Sequence, residues 1–203
     1  MSISSTTIER STTTSSAVRT RHRFSLRDYE QMIEFGILEE NTRVELIRGE
    51  IVDKMTISEP HATCVKKLNH LFIAMLAGRA VVGIQDPVVV LESRPEPDVS
   101  LLLPRDDFYL ESTPCVDDIL LLIEVADSSL EYDRTEKLSL YAEAGVCEYW
   151  IANAKQQCVE VYRNPQSNGT YAYEQVFKTG ETLRIGKLPG IALAVDQVFK
   201  PKK

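Results

Sequence analysis

The 203-residue sequence has no long hydrophobic run, no closely spaced cysteine pair and no excess of basic charge. Its longest strongly apolar stretches, such as 119–123, have the length of a strand, whereas a membrane-spanning helix needs about 18 apolar residues. The four cysteines include no C-x-x-C pair, which excludes a zinc ribbon. The net charge of −7 argues against a protein that coats DNA through many basic contacts to phosphates. We therefore expect a soluble protein whose function depends on a local site.

A signal-peptide pattern and the common catalytic motifs are not recognisable either. The N-terminus lacks the apolar segment of a signal peptide, so we expect a cytoplasmic protein with reduced thiols. Neither a glycine-rich phosphate loop nor the spacing of a Ser-His-Asp triad occurs, so nucleotide kinases and serine hydrolases have no support. Residues 1–22 contain 12 serines or threonines and little that could be buried. This composition predicts a disordered tail, followed by a single domain at 23–200.

The remaining sequence alternates between helix and strand patterns. Ser25 followed by Asp28 predicts a helix N-cap, and Gly36 predicts the end of that helix. Periodicity and turn residues then predict a hairpin of 44–47 and 50–52, a helix at 61–76, strands at 80–91, 97–103 and 118–126, a helix at 133–144, a strand at 148–152, and β segments at 159–162 and 171–177. This order predicts an α/β fold with a mixed sheet.

Glu124 stands out because it interrupts an otherwise apolar strand, 119–126. Such a run is typical of a strand covered on both faces. An ionised carboxylate is costly there unless it is paired, hydrogen-bonded or bound to a metal. Two readings of Glu124 remain open, a structural salt bridge to an arginine and a functional carboxylate.

Asp98 is the second candidate acid, at the start of the neighbouring predicted strand. If the two strands pair antiparallel, the start of one lies beside the end of the other, so Asp98 and Glu124 converge. Two adjacent carboxylates repel each other unless a cation lies between them. Oxygen ligands of this kind suit Mg²⁺. The alternative for Asp98 is an acid that caps a turn after Pro97.

Lys137 is the third candidate, near the start of the helix that follows Glu124. From there it can point back toward the end of the strand. Beside two carboxylates and a phosphate it should remain a cation, which would stabilise developing negative charge. The alternative is an exposed helix lysine. His61, at the start of the long helix, is expected to be solvated.

Several motifs resemble the bacterial putative restriction endonuclease family of the Uma type, within the PD-(D/E)XK nuclease superfamily. The segments that carry the resemblance are 95–100 (PEPDVS), 122–129 (LIEVADSS), 132–134 (YDR) with Lys137, 140–142 (LYA) and 145–150 (GVCEYW). The segment 43–50 (RVELIRGE) is similar to the N-terminal hairpin of that family, and Pro189-Gly190 to its closing segment. The resemblance covers roughly 25–199.

This resemblance implies a restriction-endonuclease-like core, with a mixed central sheet flanked by helices and preceded by a helix and a hairpin. Asp98 and Glu124 would hold Mg²⁺ or Mn²⁺ together with the backbone carbonyl of Val125. The lysine of the superfamily normally stands two residues after the glutamate, where this chain has Ala126, so its role would fall to Lys137. The resemblance also implies that Glu45 contributes to the site. Gln85, on the first core strand, is expected to face the same cavity.

The function predicted from these residues is Mg²⁺-dependent endonucleolytic hydrolysis of DNA, by a chain that could work as a homodimer. The alternative is a weak or inactive nucleic-acid-binding module that keeps the nuclease fold, suggested by the acidic charge and by Ala126. A third reading is a metal-dependent hydrolase of another phosphodiester. A test for DNA cleavage with Mg²⁺ separates the first reading from the others.

Overall fold

A computed structural model describes residues 20–39 and 42–199. The helices are α1 Leu26–Glu34, α2 Glu59–Leu76, α3 Leu130–Tyr132, α4 Leu138–Ala144 and α5 Val195–Phe199, with a 3-10 turn at Val116–Asp118 and a π-helical turn at Asp133–Lys137. The strands are β1 Val44–Ile47, β2 Glu50–Asp53, β3 Val81–Gly83, β4 Val99–Leu102, β5 Ile119–Ala126, β6 Glu148–Asn153, β7 Cys158–Gln166, β8 Thr170–Lys178, β9 Thr182–Arg184 and β10 Ala192–Ala194. The predicted N-terminal tail, apart from residues 20–22, lies outside the described residues.

The centre of the fold is a six-stranded mixed sheet in the order β3-β4-β5-β6-β7-β8. Its neighbours pair antiparallel except β5 and β6, which run parallel. A parallel pair needs a crossover connection, and here α3, the π-helical turn and α4 provide it. The predicted antiparallel pairing of the strands that carry Asp98 and Glu124 is confirmed, since Val99 pairs with Ile123. The predicted fold class is therefore confirmed.

Helices cover both faces of this sheet, so β5 is buried along its whole length. Side chains alternate between the two faces of a strand. Leu121, Ile123 and Val125 pack in the core beside α2 and α5, whereas Leu122 and Ala126 pack in the core beside α4. Glu124 stands two residues from both Leu122 and Ala126, so its side chain is on the same face of the strand as theirs. It therefore lies on the face that α4 covers.

The connection that crosses from β5 to β6 contains the π-helical turn Asp133–Lys137, where the sequence predicts a continuous helix. Asp133, Lys137 and Tyr141 stand at four-residue intervals. In an α-helix four residues turn about 400°, so side chains four positions apart are rotated by about 40° from one another around the helix axis. The π-helical turn contains one residue more than an α-helical turn, which compensates this rotation. Gly145 then ends α4 in the left-handed conformation, with φ 88°.

The N-terminal hairpin matches its prediction. Arg48 and Gly49 both have positive φ, 49° and 79°, as a two-residue turn of this kind requires. A Cβ on Gly49 would come within 2.7 Å of the Arg23 Cβ, so this position also needs glycine for space. The Arg48 guanidinium donates to Glu136 and Glu143, which fixes the hairpin against the helical crossover.

Two segments differ from the predicted elements. The predicted strand at 80–91 ends at Gly83, because Gln85 and Leu91 adopt left-handed conformations with φ 55° and 51°. Gln85 is therefore not on the first core strand. β7 also extends beyond the predicted segment 159–162, since it continues through Gln166. Among the described residues, no helix has the length and apolar character needed to cross a membrane.

Candidate active site

A cavity of about 510 Å³ lies where the carboxyl end of β5 meets the β1–β2 hairpin, the start of α2 and the π-helical turn. All five side chains predicted as site residues line it. These are Glu45, Gln85, Asp98, Glu124 and Lys137. Their sequence positions span more than 90 residues, so it is the fold that brings these five side chains to one cavity.

Asp98 is buried and fully engaged by hydrogen bonds. Its Oδ2 accepts from the Val125 backbone N–H at 2.8 Å and lies 2.9 Å from His61 Nε2, and its Oδ1 accepts from the Gln85 amide at 3.0 Å. Burial acts to raise the pKa of this carboxyl, but the bonds from His61, Val125 and Gln85 outweigh it and hold the pKa below the usual value. Asp98 therefore stays ionised near neutral pH.

Glu124 is buried at the end of β5, and its Oε1 accepts from Lys137 Nζ and from the Tyr141 hydroxyl, both at 2.9 Å. No arginine contacts it within the described residues, so the arginine salt bridge that the sequence left open is not what satisfies this acid. Burial raises the pKa of Glu124 to about 8; Lys137 opposes this effect, and Asp98 adds to it. Glu124 thus lies in a region that still favours an added positive charge.

Lys137 is a buried cation between two acids. Its Nζ donates to Glu124 and, at 3.2 Å, to Glu45. Burial lowers the pKa of a lysine, but here Glu124, Glu45 and Asp133 reverse that effect and hold the pKa above its ordinary value. The alternative of an exposed helix lysine is wrong, since the side chain is 7% exposed.

Glu45 links the hairpin to both other parts of the site. Besides contacting Lys137, its Oε1 accepts from the Glu96 backbone N–H at 2.7 Å. The Glu96 carboxylate in turn pairs with Lys54 at 2.8 Å. The same oxygen of Glu45 therefore binds both the backbone just before Asp98 and the amine of Lys137.

Three polar residues of this region were not predicted as site residues. His61 contacts Asp98 and lines the cavity, so the expectation of a solvated histidine is wrong; its Nδ1 is buried without a hydrogen-bond partner among the described residues. Tyr141 contacts Glu124 directly. Asp133 is buried beside the same cavity, and burial raises its pKa to about 6. Its four-residue spacing from Lys137 was the available signal, whereas the contact of His61 depends on how α2 packs.

The carboxylate oxygens of Asp98 and Glu124 are of the type that binds a divalent cation. The two carboxylates supply oxygen ligands only, as Mg²⁺ prefers. Glu124 Oε2 accepts no hydrogen bond from the described residues and is not among their fully buried unpaired atoms, so it remains available at the cavity. The described residues contain no group of three or more acidic, histidine or cysteine side chains arranged to hold a metal. Any cation bound here would therefore have to complete its coordination with ligands other than these two side chains.

Comparisons with known proteins bear on the fold and the family of this chain. No curated protein matches the chain. A crystal structure of a putative nuclease belonging to DUF820 from Anabaena variabilis ATCC 29413 is similar in fold, with a TM-score of 0.70 and 16% sequence identity. The similarity covers 87% of this chain and 97% of that one. Residues 26–196 match the Uma2 family, described as Putative restriction endonuclease. Because this match spans most of the sequence, the chain belongs to the Uma2 family.

Proposed function

We propose that this protein is a metal-dependent endonuclease that hydrolyses phosphodiester bonds of DNA, with Mg²⁺ held by Asp98, Glu124 and the Val125 backbone carbonyl. Membership of the Uma2 family and the nuclease-like fold support a nuclease function. The observation that carries the proposal is the convergence of two buried acids and one buried lysine on a single cavity. Buried ionisable groups gathered in a cleft are typical of catalytic sites.

Each residue has a role that follows from its environment. When bound, Mg²⁺ would lower the pKa of a water molecule and polarise the scissile phosphate. Lys137 remains a cation and can stabilise negative charge that develops on the phosphate. Asp98 stays ionised, and its bonds to His61 and Gln85 fix the orientation of its carboxylate. Glu45 acts through Lys137 and is therefore a positioning residue.

The cavity's charge supports a metal-dependent reaction over direct phosphate binding. Eight acidic side chains line it, namely Glu45, Asp53, Glu96, Asp98, Glu124, Asp127, Glu131 and Asp133. The lysines and arginine among the lining residues are Arg43, Lys54 and Lys137, and both lysines are paired with acids. A phosphate would be repelled here unless a divalent cation offset the acids.

The test is cleavage of plasmid and oligonucleotide DNA by the purified protein with Mg²⁺ or Mn²⁺, over a range of salt concentrations. We expect cleavage by the wild type and a loss of at least 100-fold for Asp98→Ala and for Glu124→Gln. Asp117→Asn, which changes an exposed acid outside the cavity, should cleave as the wild type does. Equal cleavage by the wild type and Asp98→Ala would show that a contaminant is responsible.

A specific observation also favours the second reading, a nucleic-acid-binding module without turnover. Both oxygens of Asp98 already accept hydrogen bonds, and the usual lysine position is Ala126. In that case DNA binding would be unaffected by Glu124→Gln and no product would appear with either metal. Parallel binding and cleavage assays on the same variants therefore separate the two functions.

A further inference from the structure

The cavity has an apolar wall that the chemistry described above does not use. Val52 lies on β2, and Met55 and Ile57 lie on the segment between β2 and α2; all three line the cavity together with the acids. Met55 is 57% exposed and Ile57 is 39% exposed, although both are large hydrophobic residues. Exposed apolar side chains gathered at a concave site are typical of a surface that binds a ligand.

Tyr132 extends this wall. Its hydroxyl is fully buried without a hydrogen-bond partner among the described residues, while the side chain still lines the cavity. The hydroxyl of Tyr132 is therefore not exposed to the cavity, and its contribution to the lining is apolar. Apolar and aromatic side chains of this kind bind nucleobases by contact with the flat face of the ring, which is insensitive to sequence.

From these features we infer that the site takes an unpaired nucleotide of single-stranded or locally opened DNA, with its base against the wall formed by Val52, Met55, Ile57 and Tyr132. This inference rests on the proposed function, because the acids would then act on the adjoining phosphodiester. A base inside a continuous duplex is stacked and paired, so it cannot reach a wall inside a cavity.

The size and charge of the cavity agree with this substrate. A volume of about 510 Å³ lies within the range of small-ligand sites, roughly 300–1,000 Å³, and is large enough for one nucleotide. Arg43 lines the same cavity, is exposed, and forms no ion pair within the part of the chain that the structure describes. Its guanidinium is thus available to a phosphate next to the bound base.

The test compares the affinity for a fluorescent single-stranded oligodeoxynucleotide with that for the same sequence as a blunt duplex. Anisotropy is measured with Mg²⁺ under conditions in which the probe remains intact on a denaturing gel. We expect the single strand to bind at least ten-fold more tightly. The double variant Met55→Ala/Ile57→Ala should weaken single-strand binding about ten-fold and leave duplex binding unchanged.

The matched control is Leu110→Ala, which removes an exposed apolar side chain, 88% accessible, that is not part of this cavity's lining. It should bind both probes as the wild type does. Because Met55 and Ile57 are exposed, their replacement should leave the melting temperature unchanged, and Ile57→Trp should tighten single-strand binding by enlarging the wall.

The outcomes separate this inference from the proposed function. Preferential single-strand binding that depends on Met55 and Ile57, but without cleavage, would support base binding at the wall and contradict the proposed nuclease activity. Cleavage of the duplex, with duplex binding as tight as or tighter than single-strand binding, would contradict base binding at the wall and support the nuclease activity. Single-strand binding that is unchanged in the double variant would also overturn it.

Discussion

At the residue scale, the site depends on a lysine that shares its charge between two buried acids. Removing one partner of a buried ion pair leaves an uncompensated charge, which is far more costly than never having formed the pair. The contacts of Lys137 with Glu124 and Glu45 therefore have a structural role in addition to the proposed catalytic one. Loss of activity alone does not distinguish these roles, so stability has to be measured as well.

We expect Lys137→Met to lower the free energy of unfolding by about 3 kcal/mol at pH 8 and by less at pH 5, where protonation can neutralise Glu124. Urea denaturation at both pH values checks this. The double variant Lys137→Met/Glu124→Gln should recover part of the stability but none of the activity. Lys66→Met, at an exposed position on α2, serves as the control and should unfold as the wild type does.

Asp133 makes a second residue-scale prediction, on pH dependence. Burial raises its pKa from 3.8 to about 6, so the folded protein binds this proton more tightly than the unfolded chain does. Its contribution to stability is therefore present below about pH 4 and is lost as the pH rises to about 6. Asp133→Asn should unfold like the wild type at pH 4 but be more stable by up to about 3 kcal/mol at pH 8. A stability difference independent of pH would contradict this.

At the scale of elements, the β1–β2 hairpin holds together parts that come from distant sequence positions. Glu45 joins it to the segment before Asp98 and to Lys137, while Arg48 joins it to Glu136 and Glu143. The Arg48 pairs are partly exposed and contribute little each. Glu45 is buried, so it should matter more.

We expect Glu45→Ala to lower stability by about 2 kcal/mol, because it leaves the Glu96 N–H without its acceptor and the Lys137 amine with Glu124 alone. Glu45→Gln keeps an oxygen for the Glu96 N–H, so it should cost about half as much. In DNA cleavage, both variants should lower kcat with little change in KM, since Glu45 orients Lys137 and not the substrate. A change confined to KM would instead place Glu45 in contact with DNA.

The elements that could be predicted from the sequence are those whose ends are marked by capping or turn residues. Ser25 and Asp28 form the expected capping box, and Arg48-Gly49 forms the expected turn. The π-helical turn has no such local signature, because Asp133–Lys137 reads as ordinary helix. Likewise, the left-handed conformation of Gln85 depends on the packing around it and not on its own preference. Local patterns thus located the acids and Lys137, and only tertiary packing revealed His61 and Tyr141.

At the scale of the whole molecule, the negative net charge and the acidic cavity lead us to expect that divalent cations stabilise the folded state. A ligand that binds only the folded state raises its stability by about 2.7 kcal/mol at a concentration 100 times the Kd. For a chain of this length that corresponds to roughly 5–10 °C in melting temperature. Stability therefore reports on the metal without any need for substrate.

We expect Mg²⁺ to raise the melting temperature of the wild type by about 5 °C or more at saturation, and EDTA to reverse the shift. Asp98→Asn should abolish the shift, and Asp117→Asn should preserve it. Differential scanning calorimetry in the absence of DNA is the measurement. An equal shift in all three proteins would mean that the cation acts on the general charge and not at Asp98 and Glu124.

The extra residue in the π-helical turn also bears on how activity can be lost in evolution. Deleting one exposed residue there, such as Thr135, would restore a regular helix, while the packing of α4 against the sheet could stay as it is. Asp133 and Lys137 would then be three α-helical residues apart, which turn about 300°, so Asp133 would rotate by about 60° relative to Lys137. Loss of a single codon could thus yield descendants that fold normally but no longer assemble the site.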